Sequence, residues 1–291
     1  MDDSGNGERK ITTTSPAPLI LGISIFGHDS SGTLLNGNSG DVLYALTEER
    51  FSNLKHDGEF PVAVISKIKE QILRESLGVV RYIACNLNDS ISVSSIKSEL
   101  INVVDVETAE YVFSELLRFL DNAQVLDPNY FPLNYISELL KHRGISLTTI
   151  KTIQDKISWY GNFVLRIRRL HKHLESLFPE AEVIPVDHHS AHAASAFYGS
   201  GFESAAVLTL DGQGELATST LSIANGTHIK LLTQTNWPNS LGALYMALTW
   251  HLGFDGDDPR YLGFGDEFKV MGMSAYGKPT YSDIFRQLGS V

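Results

Sequence analysis

Three histidines fall within five residues of the stretch VDHHSAHAASAF, residues 186–197. His188 and His192 are four residues apart, so they share one face of a helix, and Asp187 is a suitable N-cap for that helix. Two imidazoles on one helix face can supply half of a metal site. A zinc peptidase of the HExxH type carries Glu directly after the first histidine. This chain has His189 there, on another face of the helix, so that class of peptidase is excluded.

A third metal ligand is predicted at Asp211. This residue ends the apolar run AVLTLDG, which is typical of a buried strand, and Gly212 then turns the chain out of the sheet. Carboxylates at the carboxyl ends of strands are common sites of chemistry in α/β folds. The spacing alone leaves a second interpretation open, in which Asp211 caps a turn and the histidines lie at a helix start and on the surface.

A second polar constellation, GHDSSG at residues 27–32, directly follows the apolar run LILGISIF. It contains His28, Asp29, Ser30 and Ser31, and its N–H and hydroxyl groups could face a phosphate in a tight turn. It is not a Walker A loop, because no Gly-Lys-Ser/Thr follows. A plain polar hairpin is the alternative that the residues leave open.

Charged side chains crowd the stretch TEERFSNLKHDGEFP, residues 47–61. Arg50 and Lys55 could neutralise a bound phosphate, although a solvated strand end also explains this density. Farther along, DEFKVMGMSAYGKP, residues 266–279, carries Lys269 in a mainly apolar setting. This segment suits a substrate-facing loop and a packed turn equally well.

The composition is that of a folded globular protein, with 43% hydrophobic and 20% charged residues among 291. The net charge of −11, with no basic run longer than RIRRLHKH, argues against nucleic acid or an anionic membrane as a partner. The polar residues 1–18 predict a disordered lead rather than a signal peptide. No run reaches the roughly 20 apolar residues that a bilayer requires. We therefore expect a cytoplasmic protein, with Cys85 as a buried thiol.

The order of the apolar runs predicts an α/β fold. A three-stranded meander is predicted from three runs, namely LILGISIF, the run after GHDSSG, and DVLYALTEER. A helix is expected to begin after Pro61, and RYIACN is expected to form the next strand. Amphipathic segments over about residues 90–178 predict a helical insertion. The strand and helix pattern resumes at EVIPVDHH and includes a hairpin turned at Asn225-Gly226. The helix SLGALYMALTWHLGF then precedes a loop-rich close.

Five ordered blocks resemble one family, the O-carbamoyltransferases of natural-product and nodulation-factor biosynthesis, whose N-terminal part is similar to the Kae1/TsaD tRNA-modification proteins. The blocks, spanning about residues 19–279, are LGISIFGHDSSGTLL, LTEERFSNLKHDGEFP, VDHHSAHAASAFYGSGFESAAVLTLDGQGE, NSLGALYMALTWHLGF and DEFKVMGMSAYGKP. The resemblance implies the N-terminal portion of an actin/Hsp70-like ATPase (RNase H-like) fold, forming one Kae1-like domain over residues 19–291. It also implies that the C-terminal half and a YrdC-like domain, which relatives have, are absent here.

Carried over residue by residue, the resemblance implies that His188, His192 and Asp211 bind a divalent metal, usually Fe²⁺. His28 becomes the catalytic or substrate-positioning histidine, and Lys55 a contact to the phosphate or carbamoyl group. With only three protein ligands, the metal site would be completed by water, substrate or another chain.

The implied reaction moves a carbamoyl group from carbamoyl phosphate, through a carbamoyl-adenylate made with ATP, to a hydroxyl of a small-molecule, natural-product or sugar acceptor. A separate chain supplying the C-terminal half is an implied partner. One alternative is a catalytically silent Kae1-like binding module. Another, tRNA threonylcarbamoyl transfer, is disfavoured by the EERFSNLKHDGEFP block and by the absence of a basic surface.

Overall fold

The computed structural model describes residues 17–25, 29–122, 131–254 and 266–288. The chain divides into two compact units, residues 1–186 and residues 187–291. The predicted disordered lead, apart from its last two residues, and His28 lie outside the described residues.

The first unit is built on a five-stranded sheet in the order β3-β2-β1-β4-β5. Its strands are β1 (Leu19–Ser24), β2 (Ser31–Asn36), β3 (Val42–Thr47), β4 (Val80–Cys85) and β5 (Glu182–Pro185). The first three strands form an antiparallel meander, as predicted, whereas β4 runs parallel to β1 and β5 parallel to β4. Leu21 pairs with Leu34 on one side and with Ile83 on the other, and all three side chains are fully buried. This mixed sheet with helices between its strands confirms the predicted α/β class.

The helices of the first unit are α1 (Glu49–Ser52), α2 (Val62–Glu75), α3 (Ser90–Ile101), α4 (Val106–Asn122), α5 (Leu133–His142) and α6 (Leu147–Leu177). Helix α2 begins after Pro61, as predicted, and packs on the sheet through Val64 and Ile68. A Cβ at Gly32 of β2 would crowd the Val64 side chain, so the glycine lets α2 approach closely. The buried Glu48 carboxylate accepts hydrogen bonds from the Ala63 and Val64 amides at 2.9 Å each, which satisfies two free N–H groups of the first turn.

Helices α3 to α6 are inserted in the sequence between β4 and β5, and they share a second apolar core. The 31-residue helix α6 belongs to both cores of this unit, because Ile153 is buried among these helices and Leu170 is buried in the core that includes the sheet. Its first turn is capped by Ser146, whose Oγ accepts from the Thr149 amide at 3.2 Å. Cys85 is buried, as predicted, and burial raises its pKa to about 11.

The second unit contains an antiparallel sheet in the order β6-β7-β8. Its elements are α7 (His188–Tyr198), β6 (Ser204–Gly214), β7 (Ala217–Asn225), β8 (His228–Asn236), α8 (Leu241–His251), α9 (Glu267–Ser274) and α10 (Ser282–Leu288). The β7–β8 hairpin turns at Asn225-Gly226, as predicted, and Gly226 adopts φ +56°. Helix α7 packs on β6 and β7 through Ala193 and Phe197.

Two local expectations for the second unit are wrong. Residues 267–274 form helix α9 rather than a loop, and the helix includes Gly272 in its last turn despite the low helix propensity of glycine. Strand β6 also continues beyond Gly212 to Gly214, with an irregular register after Leu210. Within the described residues, no helix combines the length and the apolar character needed to cross a membrane.

Candidate metal centre

The structure brings His188, His192 and Asp211 together within the second unit. Asp211 Oδ2 lies 2.6 Å from His188 Nε2 and 3.2 Å from His192 Nε2. The two Nε2 atoms lie 3.0 Å apart, and the two rings meet at 79°. Three potential ligand atoms therefore converge on one point, and the side chains that carry them are partly exposed.

These distances fit the requirement of a single divalent ion. With metal–ligand bonds of about 2.0–2.2 Å, two ligands at right angles lie about 3 Å apart. The three measured separations, 2.6 to 3.2 Å, bracket that value. Two imidazoles and one carboxylate form the donor set that binds Fe²⁺ on one face of an octahedron, leaving the opposite positions for other ligands. The residues present thus fit the ion that the resemblance implies.

Asp211 is presented by an irregularity in β6. Pairing between β6 and β7 lapses after Leu210 and returns at Gly214, so Asp211 is released from the regular ladder. The Gly212 amide donates to Asp211 Oδ1 at 2.6 Å, which leaves Oδ2 to the histidines. Ser240 Oγ, which also caps α8, lies 3.1 Å from the Asp211 carbonyl and 2.7 Å from the Gly212 carbonyl, so the two carbonyls share its single hydroxyl hydrogen. The start of α8 thereby fixes the irregular segment.

Helix α7 is capped by Glu215 rather than by the side chain expected from the sequence. Asp187 has the extended backbone of an N-cap residue, but its side chain forms no capping hydrogen bond. The Glu215 carboxylate instead accepts from the His188 amide, with oxygens at 3.2 and 3.3 Å. Glu215 has φ +33°, an uncommon conformation for a residue with a side chain. The end of β6 thus supplies one potential ligand, and the turn that follows it supplies the cap of the helix that bears the other two.

Two glycines allow these elements to approach closely. A Cβ at Gly214 would overlap the His188 imidazole, and a Cβ at Gly242 of α8 would overlap the backbone of Asp211 and Gly212. Gly214, Gly242 and Glu215 were not predicted from the sequence to be parts of the site. The signal available for two of them was the compact motif DGQGE, residues 211–215, which places two glycines around a polar turn directly after a strand.

The electrostatics of the site keep the carboxylate ionised. Burial opposes ionisation of Asp211, but hydrogen bonds with His188 and His192 and from the Gly212 amide outweigh it and hold its pKa well below the usual range. The hydrogen bond to Asp211 raises the pKa of His192, partly offset by burial. A metal ion at this site would therefore meet a ready anionic ligand and would displace protons from imidazole.

The third histidine of the cluster, His189, takes no part in the ligand triangle. Its side chain is buried, and its ring nitrogens contact Thr209 of β6 and the Ala217 carbonyl of β7. Burial lowers its pKa, which favours the neutral ring.

The predicted phosphate-binding residues of the first unit are brought together only in part. Ser30 links the GHDSSG segment to the charged stretch of residues 47–61. Its amide donates to the Asp57 carbonyl at 2.7 Å, and its carbonyl accepts from the Glu48 amide at 2.9 Å. Asp29 Oδ1 lies 3.5 Å from Nδ1 of His56. Ser31 begins β2, opposite Thr47 of β3. The GHDSSG turn and the charged stretch therefore adjoin each other at one end of the sheet.

The three predicted cationic contacts are all side chains with access to solvent. Arg50 is 81% exposed, with Glu49 3.9 Å away, and Lys55 is also exposed. Lys269 belongs to the second unit, where its Nζ lies 2.8 Å from the Asp266 carboxylate. Their contacts to phosphate remain predictions.

Comparison with known proteins identifies the family. The sequence profile described as "Carbamoyltransferase N-terminus" matches residues 19–290. The chain is 29% identical over 270 residues to "Uncharacterized protein sll1178" of Synechocystis sp., covering 91% of this chain and 36% of that protein. It is 42% identical over 105 residues to "Nodulation protein NolNO" of Sinorhizobium fredii, covering 35% and 14%. It is 27% identical over 278 residues to "Uncharacterized protein MJ1058" of Methanocaldococcus jannaschii, covering 89% and 42%.

The aligned part spans less than half the length of each of these relatives. The profile match nevertheless extends over almost all of this chain and includes both units. The resemblance stated from the five sequence blocks is thereby confirmed, and the chain belongs to the carbamoyltransferase N-terminal family.

Proposed function

We propose that this chain is part of an O-carbamoyltransferase. The carbamoyl group would come from carbamoyl phosphate, through a carbamoyl-adenylate made with ATP, and would pass to a hydroxyl of a small-molecule, natural-product or sugar acceptor. The observation that carries this proposal is the convergence of His188, His192 and Asp211 on one point in a chain of this family. The acceptor class is argued from the charge of −11, which disfavours nucleic acid and anionic membranes.

We also propose the actin/Hsp70-like ATPase (RNase H-like) fold for the chain. Support comes from the strand order β3-β2-β1-β4-β5 with an antiparallel first half. Further support comes from repetition, since β6-β7-β8 is a second antiparallel meander followed by a helix, as β1-β2-β3 is followed by α1 and α2. A duplicated unit of this kind would be completed by the C-terminal half, in the same polypeptide or in a partner chain. A cytoplasmic location is proposed on the composition.

In this mechanism His188, His192 and Asp211 would hold Fe²⁺ or another divalent ion. Such an ion supplies Lewis acidity to a carbonyl or phosphate oxygen. Asp211 would contribute its negative charge to the site, because its hydrogen bonds keep it ionised. His28 would accept the proton of the acceptor hydroxyl as the new carbon–oxygen bond forms and the bond from the carbamoyl carbon to the adenylate phosphate oxygen breaks, releasing AMP. The proposed contacts to phosphate or substrate are Asp29, Ser30, Ser31, Arg50, Lys55 and Lys269.

The test is transfer from preformed carbamoyl-adenylate, in the presence of Fe²⁺, to a panel of hydroxylated acceptors, with the product measured by mass spectrometry. We expect the wild-type chain, with any polypeptide that copurifies with it, to form a carbamate ester. His192→Ala and His28→Ala should each lower the rate by at least about 100-fold. His142→Ala is the matched control, because His142 is exposed on α5 and should leave the rate unchanged.

Each adverse result has a distinct meaning. Normal transfer by His28→Ala would remove His28 from its proposed role. Normal transfer by His192→Ala would remove the metal centre from the reaction. Metal binding by the wild-type preparation without transfer to any acceptor would favour the silent binding module.

A further inference from the structure

His189 connects the two elements that carry the proposed metal ligands. Its side chain is only 5% exposed. Nδ1 lies 2.7 Å from Thr209 Oγ1 on β6, and Nε2 lies 2.9 Å from the Ala217 carbonyl at the start of β7. One side chain of α7 is therefore bonded to both strands of the β6–β7 pair.

The chemistry of the partners fixes the direction of these hydrogen bonds. The Ala217 carbonyl can only accept, so Nε2 of His189 carries a proton and donates it. In the neutral ring Nδ1 is then an acceptor, and the Thr209 hydroxyl donates to it. Because that hydroxyl hydrogen is used, Thr209 Oγ1 accepts from the hydroxyl of Thr220 on β7, 2.7 Å away. The result is a buried, directional chain that crosses α7, β6 and β7.

Two residues of this hydrogen-bonded series are close in sequence to the proposed metal ligands. His189 directly follows His188, and Thr209 precedes Asp211 by two residues on the same strand. The apolar contacts of α7, through Ala193 and Phe197, lie farther along the helix. At the ligand end, the polar contacts of α7 with β6, β7 and the turn between them include the Glu215 cap, the His189 bonds and the contacts of His188 and His192 with Asp211.

We propose that His189 is a positioning residue, which fixes the placement of α7 on β6 and thereby holds His188 and His192 over Asp211 before a metal ion binds. This inference rests on the proposed metal centre, not on the identity of the acceptor. Groups that orient metal ligands from the second coordination sphere typically contribute 10- to 100-fold to affinity. A rotation of α7 would leave the buried His189 ring without partners and would remove the acceptor of the Thr209 hydroxyl, which disfavours such a movement.

Metal affinity is the measurement that tests this role, using titration with Co²⁺ as an Fe²⁺ surrogate and its visible absorption as the signal. Thr209→Val removes the hydroxyl while keeping the shape, and His189→Phe keeps a ring while losing both bonds. We expect each to weaken Co²⁺ binding by about 10- to 100-fold. His189→Gln, whose amide can donate towards Ala217, should restore part of the loss.

The matched control is Thr249→Val. Thr249 is fully buried in the same unit, but its hydroxyl donates to the Tyr245 carbonyl within α8. We expect Thr249→Val to bind Co²⁺ within about twofold of wild type, since no ligand is displaced. Equal losses of affinity in Thr209→Val and Thr249→Val would mean a general structural effect and would overturn the proposal.

A second readout does not require metal. ¹⁵N NMR of the imidazole should show a proton on Nε2 of His189, which faces the Ala217 carbonyl. An Nδ1-protonated tautomer, or wild-type Co²⁺ affinity in His189→Phe, would overturn the proposal. Failure of the wild type to bind Co²⁺ would overturn it together with the metal centre. The expected losses of Co²⁺ affinity in these variants, without carbamoyl transfer by the wild type, would count against the proposed function alone.

Discussion

The first unit buries two extensive apolar cores, one that includes the sheet and one among α3 to α6, whereas the described apolar core around α7 in the second unit is small. At the ligand end of α7 the second unit relies on side chains such as Glu215, His189 and Asp211, which form hydrogen bonds to specific atoms. Apolar burial is roughly proportional to area and has no direction, but hydrogen bonds fix orientation.

This difference separates what each unit contributes. A core of the first kind stabilises the fold and tolerates small adjustments of side chains. A polar arrangement of the second kind holds ligand atoms at distances that suit a metal ion. We therefore expect substitutions in the first unit to alter stability without altering metal affinity. Substitutions around α7 and β6 should alter metal affinity without altering stability.

The largest effect should come from Asp211→Asn, which removes the only anionic ligand of the three with little change in shape. Metal affinity should fall by more than about 100-fold, beyond the usual cost of losing a supporting residue. Co²⁺ titration measures this change. Asp283→Asn, at an exposed position of α10, is the control and should bind normally. Unchanged affinity in Asp211→Asn would remove the carboxylate from the site.

The next prediction concerns the stability of the first unit. Ile83→Ala leaves a cavity in the fully buried centre of the first sheet, and the free energy of unfolding should fall by about 2–5 kcal/mol. Denaturant unfolding measures this loss, and Co²⁺ affinity should stay at the wild-type value. Val42→Ala, at an exposed position of β3, should cost far less. A matching loss of metal affinity in Ile83→Ala would break the separation between the units.

A smaller effect is expected from a single methyl group at Gly214. Gly214→Ala places a Cβ against the His188 ring and should lower Co²⁺ affinity by about 10-fold, the lower end of the range for a displaced ligand. Gly212→Ala is a close control, because its Cβ would meet nothing within 4 Å. Equal affinities in the two variants would show that His188 moves aside freely.

The smallest effect concerns the long helix of the first unit. Ser146→Ala removes the N-cap of α6 and should lower the free energy of unfolding by about 1 kcal/mol. Thermal or denaturant unfolding measures it, with Ser114→Ala, at an exposed position inside α4, as the control. No difference between the two variants would mean that the cap contributes nothing to this helix.

Features governed by local pattern could be predicted from the sequence. The meander β1 to β3 follows from short apolar runs and turns, the α2 start from Pro61, and the β7–β8 turn from Asn225-Gly226. The convergence of His188 and His192 follows from helical spacing, and Asp211 was expected from its position at the end of an apolar run.

Features that depend on distant pairing could not be predicted. The partners of His189, Thr209 and Ala217, lie 20 and 28 residues away in the sequence. The cap from Glu215 lies 27 residues from the amide it serves, so a local search for N-caps selects Asp187 instead. The irregular register after Leu210 arises from pairing with β7 and has no signal in β6 alone.

The order of the ligands along the chain has a consequence for how the centre forms. His188 and Asp211 are only 23 residues apart. The α7 cap, Glu215, and the partners of His189, Thr209 and Ala217, are close to Asp211 in sequence. An ion bound by both residues would act as a cross-link that closes this short loop, and in chain-entropy terms a permanent link of that span contributes about 3 kcal/mol. The three proposed ligands are therefore all in place once one contiguous segment, from α7 to the start of α8, has folded.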